Sequence, residues 1–215
     1  MVAKKLAAEL ASHTHGRVPR ELRRRQVLAE AHRLFAERGY AGASMDELAR
    51  RVGVSKPVVY DLARSKEQLF RDVMAKVQED LAMCVASAVA AETDPSKKLH
   101  TGVLAFLRFV HRNRKGWATL FSTEAGSASA EVATVRHGQV ALVAALMAER
   151  AGAGGAAMDP RALEALAHGI NGAVEAVALW WQAHPELSAE ALAGLLASLL
   201  SPGLESMLEG RSGGW

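Results

Sequence analysis

Between Ser44 and Tyr60 the chain reads SMDELARRVGVSKPVVY. An apolar period starts, stops on a glycine and restarts within a few residues, and no other stretch constrains the fold as strongly. Ser44 stands three positions before Glu47, the spacing of a serine helix cap and its reciprocal glutamate. Met45, Leu48, Ala49 and Val52 then share one face. Gly53 ends that helix by adopting a backbone conformation most residues avoid. Ser55 opens the next helix, with Pro57 tolerated in a first turn whose amides have no intrahelical acceptor. Two short helices joined by Val-Gly-Val-Ser describe a helix-turn-helix, with Ala49 small where the pair must cross closely. The second helix is too short to bury much of itself, so its role is to present side chains.

The flanking sequence continues in helical period. Val27, Leu28, Ala31, Leu34 and Phe35 give one apolar face to a helix expected over 20–38, ended by Gly39. Ser65, with Gln68 three residues on, opens a helix whose buried face is Leu69, Phe70, Val73, Met74 and Val77. Asp94-Pro95 and Asp159-Pro160 are helix starts, a cap followed by proline, and Ser188 starts the last helix. A shorter element surrounds Trp117 and Phe121, and a helix covers 128–150. The run AGAGGAA (151–157) lacks the spacing and lysine of a phosphate-binding loop and reads as a linker. Pro202-Gly203 is expected to bend or end the final helix. No apolar–polar alternation marks a strand, so the fold class is all-α.

The net charge of +3 conceals an asymmetry. Residues 1–71 carry 15 Lys/Arg against 8 Asp/Glu, while 72–215 carry 11 against 15. A basic third on an acidic remainder suits a polyanion-binding module on a non-binding body, or else a solvated charged surface. Cys84 is the only cysteine, consistent with a reducing cytoplasm. The first residues have no apolar run long enough for a signal peptide, and no stretch of about 18 apolar residues implies a membrane span. His13 and His15 lie in a Ser/Thr/Gly-rich segment and read as solvated, so no metal and no cofactor is expected. The histidines are dispersed, without a nucleophile–base arrangement, which makes an all-helical enzyme the remote alternative.

From about Arg20 to Val73 the chain resembles the TetR family of bacterial transcriptional regulators. The resemblance rests on LFAERGY, SMDELARRVGVS, KPVVY and SKEQLF. It implies a flexible basic tail over 1–19 and a three-helix helix-turn-helix DNA-binding domain over 20–66. A long helix then leads into a helical ligand-binding and dimerisation domain over 67–215. It also implies that Lys56, Pro57 and Val58 read bases, where lysine can bond a guanine edge and the apolar pair can pack on thymine methyls. Tyr60 and Lys66 would grip phosphates, with Ser55 at the start of the reading helix and Ser44 touching the backbone. Arg20, with Arg17, Arg23, Arg24 and Arg25, would reach phosphates or an adjacent minor groove, or form a solvated basic face. The chain departs from the family at Asp61-Leu62-Ala63, where an aromatic residue commonly follows the tyrosine.

The remaining two-thirds is expected to dimerise and hold a small molecule. Leu163, Ile170, Val174, Val177 and Trp181 follow a 3–4 repeat, and Leu192, Leu195, Leu196 and Leu199 stripe the last helix. The resemblance implies that these two helices pair with their copies, while one stripe can instead serve each protomer's own core. Phe106, Phe109, Trp117 and Phe121 are either pocket lining or plain core. His168, Asn171 and Glu175 form a polar stripe whose partner is either a ligand or the other protomer. The expected protein is a cytoplasmic homodimer that binds a double-stranded DNA operator. The expected activity is repression, relieved when a small-molecule effector shifts the fourth helix. A dimer without a small ligand, an activator or controlled by a protein partner, is the alternative.

Overall fold

A computed structural model describes residues 2–12, 18–114, 117, 129–153 and 159–208. Every element among them is a helix. They are α1 (Val2–Ala11), α2 (Arg20–Gly42), α3 (Met45–Val52), α4 (Lys56–Ala63), α5 (Lys66–Ala91), α6 (Lys98–Arg112), α7 (Ser129–Ala153), α8 (Pro160–Trp180) and α9 (Ala189–Leu208). Single 3-10 turns stand before α6 (Pro95–Lys97) and after α8 (Trp181–Ala183). The chain divides into two compact units, Met1–Val77 with Lys115–Glu131, and Gln78–Arg114 with Val132–Trp215.

In the first unit, α2 buries Leu22, Val27, Ala31, Leu34 and Phe35. Phe35, Tyr40 and Phe70 pack as an aromatic trio, with Phe70 edge-on to both partners at 5.1 and 5.0 Å. Such geometry sets the positive ring edge against the negative ring face. Gly39 breaks the helical geometry at φ 69°, as expected, and the chain then adds one more turn to Gly42. Ser44 caps α3: the Glu47 amide donates to its Oγ at 3.1 Å. Gly53 ends α3 in the left-handed region (φ 76°), and its amide donates to the Ala49 and Arg50 carbonyls. The Val54 amide also reaches Ala49 O at 3.0 Å, so two consecutive donors close the α3 end.

Residues 1–19, expected as a flexible tail, carry α1 instead, with Leu6 buried. Glu9 accepts from Arg25 of α2 at 2.7 Å. Leu6 and Leu10 recur four residues apart in a segment rich in alanine, leucine and lysine, and these good helix formers outweigh the composition of a tail. His13, His15 and Arg17 lie outside the described residues. The boundary between the units falls inside α5, past the expected 66/67 junction. The first three turns of α5 contribute Leu69, Phe70, Val73 and Met74 to the buried core.

In the second unit, Asp94 caps the turn before α6 by accepting from the Ser96 amide at 3.0 Å. Gly102 lets α6 approach α5, since a Cβ there would lie 3.2 Å from Val89 Cγ2. Val103, Phe106, Leu107 and Val110 of α6 are buried, as are Leu163, Ala167, Ile170 and Val174 of α8. Trp181 is pinned by its Nε1, which donates to Leu187 O at 2.9 Å. Arg114 reaches the same corner through Gln182 Oε1 at 3.1 Å. The expected linker at 151–157 begins as helix, because Ala151 is buried and extends the α7 face. Pro202 does not end α9, which continues to Leu208. The missing amide forfeits one backbone bond, but the ring stays exposed beside Gly203.

Gly53→Ala meets no neighbour within 4 Å, so its cost is backbone strain alone. It should lower the unfolding free energy by about 1–2 kcal/mol in urea denaturation. A neutral result would mean that the α3–α4 turn relaxes out of the left-handed region.

Candidate nucleic-acid interface and internal cavity

α4 is eight residues long and has two unlike faces. Val59 is 0% exposed and Ala63 3%, which fixes the helix to the core by one short edge. Lys56, Pro57, Val58 and Tyr60 are all exposed. The helix ends at Arg64, a non-glycine residue with φ 55°, and the next residue, Ser65, already caps α5. A two-residue corner, Arg64 and Ser65, therefore links the exposed face of α4 to Lys66.

The cations at this surface have intramolecular partners. Lys56 Nζ donates to Asp46 Oδ2 at 3.1 Å, and that hydrogen bond raises the lysine pKa above its ordinary value. Arg20 donates to Asp61 Oδ2 at 2.5 Å and to the Asp61 carbonyl at 3.0 Å. Lys66 donates to Ala41 O at 3.3 Å, with its ammonium 4.7 Å from the Tyr40 ring centroid. Arg24 pairs with Asp72, Arg23 bonds Gln26, and Arg25 holds α1. Exposed pairs of this kind contribute little to stability, so they hold the cations in place without preventing exchange for a stronger anion. Asp46 and Asp61 were missed as cation partners by sequence reading, which gives spacing along a helix but not proximity between helices.

Ser44 and Ser55 differ. Ser44 is engaged as a cap, whereas Ser55 occupies the cap position of α4 with no side-chain cap bond. Ala63 is small and buried where the resemblance calls for an aromatic ring, and Leu62 beside it is half-buried.

The second unit contains a partly open cavity of about 160 Å³. Its walls come from α5, α6, α7, α8 and α9 and are mostly Leu, Val, Met, Ile and Phe. Phe106 and Asn171 line it, and Asn171 donates to Glu175 at 3.1 Å. Glu175 is not part of the lining, and neither are Phe109 and Trp117, which are buried elsewhere. Phe121 lies outside the described residues. His168 is exposed, so the polar stripe of α8 splits between solvent and cavity. Gln139 also lines the cavity and was missed in the sequence, although a glutamine just before Val140, Leu142 and Val143 was the available signal.

The two C-terminal stripes separate by face. Leu163, Ile170, Val174, Trp181, Leu192 and Leu196 are buried within their own unit, and Val177 is half-buried. Leu195 and Leu199 are 68% and 73% exposed, and Leu179 and Trp180 of α8 are exposed as well.

Residues 27–73 match the model of bacterial regulatory proteins of the tetR family, and residues 95–201 match a tetracyclin repressor-like C-terminal domain. The chain belongs to the TetR family. It is 38% identical over 108 residues to the HTH-type transcriptional activator FasR of Mycolicibacterium smegmatis, covering 50% of this chain and 49% of that protein. It is 33% identical over 82 residues to the transcriptional regulator EthR of Mycobacterium tuberculosis, covering 37% and 38%. The chain thus spans half or less of the length of these curated relatives. A TetR-like regulator from Rhodococcus sp. RHA1 superposes with a TM-score of 0.67 at 29% identity, over 88% of this chain and 99% of that one. FadR of Bacillus subtilis, crystallised with stearoyl-CoA, superposes at 0.68 with 14% identity over 83% and 97%, a likeness of fold alone.

In this TetR-family chain the two serines should separate in a stability assay. Ser44→Ala loses a made cap bond and should cost about 1 kcal/mol. Ser55→Ala loses none and should stay within about 0.5 kcal/mol of wild type. Equal losses would show that Ser55 caps α4 in solution.

Proposed function

We infer that this chain is a sequence-specific DNA-binding transcriptional regulator that acts as a homodimer and answers to a small molecule. The observation that carries the DNA reading is the two-faced α4: Val59 and Ala63 buried, with Lys56, Pro57, Val58 and Tyr60 outward. A helix held by so narrow an edge can enter a major groove about 12 Å wide and keep its outer side chains free for base edges. Lys56 reads a guanine edge after releasing Asp46. Pro57 and Val58 pack on thymine methyls. Tyr60, Lys66, Ser44, Ser55 and Arg20 hold the flanking phosphates and so set register.

Leu195 and Leu199, one turn apart on α9, and Leu179 and Trp180 on α8 form the face we assign to the second copy. Large side chains exposed at this level on neighbouring helices are the form an unpartnered interface takes. The buried stripe, Leu163 to Leu196, is the protomer's own core. Two copies bring two α4 helices to a near-palindromic operator.

The cavity supports the effector reading. α5 begins with Lys66 and further along lines the cavity with Leu81, Val85 and Val89. An occupant that displaces those residues acts on the same helix that carries Lys66, and coupling of about 1–3 kcal/mol suffices for regulation. In the first reading the effector releases a repressor from its operator. A second reading, activation, is favoured by one observation, the activator FasR among the relatives. The fold serves both, because the sign depends on where the operator lies relative to the promoter. A promoter-fused reporter, with and without the regulator, decides between them.

Binding to DNA from upstream of the chain's own gene, titrated at several salt concentrations against a scrambled competitor, tests the reader. Lys66→Ala should weaken binding and lower the salt slope by about one. Tyr60→Phe should weaken binding several-fold with the slope unchanged. Unchanged affinity in both variants would remove these residues from the phosphate contacts. Sedimentation of the double variant Leu195→Glu, Leu199→Glu should show a monomer where wild type shows a dimer, with half-site affinity only. A persisting dimer would place the interface elsewhere.

A further inference from the structure

Gln139 lines the cavity, is only 9% exposed, and has neither its amide nitrogen nor its amide oxygen hydrogen-bonded among the described residues. A buried donor and a buried acceptor left unpaired on one side chain are unfavourable for the empty protein. Across from it, Gln78 of α5 lies over Gly138. A Cβ on residue 138 would stand 2.1 Å from Gln78 Nε2, so the glycine leaves room for that carboxamide as placed. Gln78 and Gln139 therefore bring two carboxamides to the wall of one apolar cavity from neighbouring helices.

We propose that the cavity takes a small neutral molecule with an amide-like group on an apolar body, and that Gln139 is the residue that recognises the group. The proposal rests on reading this cavity as the effector site. A carboxamide presents one face of donor and one of acceptor. Its complement carries both as well: an amide, a lactam or an undissociated acid. A ketone or ether satisfies the nitrogen and leaves the oxygen unpaired. An ion does worse, because a charge carried into an apolar enclosure needs a countercharge. The described lining offers one cation, Lys98, and one anion, Glu205, so it has no net charge with which to compensate an ion. A glutamine side chain turns about three torsions, so its amide can meet a ligand in the void without backbone movement. The volume limits size: an apolar cavity of about 150 Å³ takes benzene, and this one is similar.

Hexanamide, 2-heptanone and hexanoate test this, since they share a five-carbon tail and carbonyl and differ only in the terminal group. Occupancy is read at pH 8 on the full chain from the NMR shift of the methyl of Met147, a buried lining residue. Hexanamide should bind about ten-fold more tightly than 2-heptanone, with hexanoate weakest. Gln139→Met, nearly the same shape, should erase the amide preference while keeping the ketone. It should also raise the melting temperature of the ligand-free protein, because it removes a buried unpaired group. A structurally satisfied glutamine would give the opposite, a lower melting temperature, and would overturn the proposal. Equal binding of amide and ketone to wild type would overturn it too, with the cavity still standing as a ligand site. Tightest binding of hexanoate would transfer the anchor to Lys98. Failure of all three to shift Met147 would sink the effector reading of the cavity and this proposal with it.

Discussion

The burial of Val59 holds α4 and its exposed face in place. α4 has only eight residues, and an isolated helix of that length is not stable in water. Two buried side chains, Val59 and Ala63, tie it to the core and so leave the opposite face unoccupied. Burying a valine contributes about 1.5–3 kcal/mol, enough to order a helix whose ends are already set. Gly53 sets one end through its left-handed backbone, and the Arg64–Ser65 corner sets the other. Positioning thus comes from two buried side chains and two turns, leaving Lys56, Pro57, Val58 and Tyr60 on the exposed face.

Electrostatics follow from the same placement. The basic third of the chain does not present bare cations. Lys56 leans on Asp46, Arg20 on Asp61, Arg24 on Asp72. Each pair is exposed and weak in isolation. Together they set side-chain directions, which would lower the ordering cost of the DNA binding proposed above. Arg51 sits differently, between Glu37 and Glu47, at 2.8 and 2.6 Å. It ties α2 to α3 and belongs to the frame.

The second unit meets a different constraint. Five helices line an apolar space they do not fill, and Gln139 has no hydrogen-bond partner there among the described residues. Well-packed interiors have few voids of this size. A core selected for stability alone would hold a leucine or methionine there. Stability forgone at one buried position, beside a void, fits the effector site proposed above.

Much of this architecture was legible in the sequence for local reasons. Ser44 before Glu47, Ser65 before Gln68, and Asp94 and Asp159 before prolines each mark a helix start, because a cap acts over three residues. Gly39 and Gly53 mark stops because backbone conformation is local. Apolar period identified α2, α3, α5 and α6 and excluded strands. Where sequence reading stopped short, the missing quantity was distance between residues far apart in the chain. Period alone cannot tell which of two apolar stripes on α9 faces inward, so Leu196 and Leu195 looked alike until α6 packed against one of them. Composition suggested a tail before α2, whereas Val2–Ala11 form α1, buried at Leu6 and paired with α2 through Glu9 and Arg25. The helix-turn-helix and its register of caps were determined by the sequence itself, through interactions within a few residues. The cavity, the unpaired Gln139 and the exposed Leu195–Leu199 face were decided only by tertiary packing, because burial is a property of neighbours that the chain brings from elsewhere.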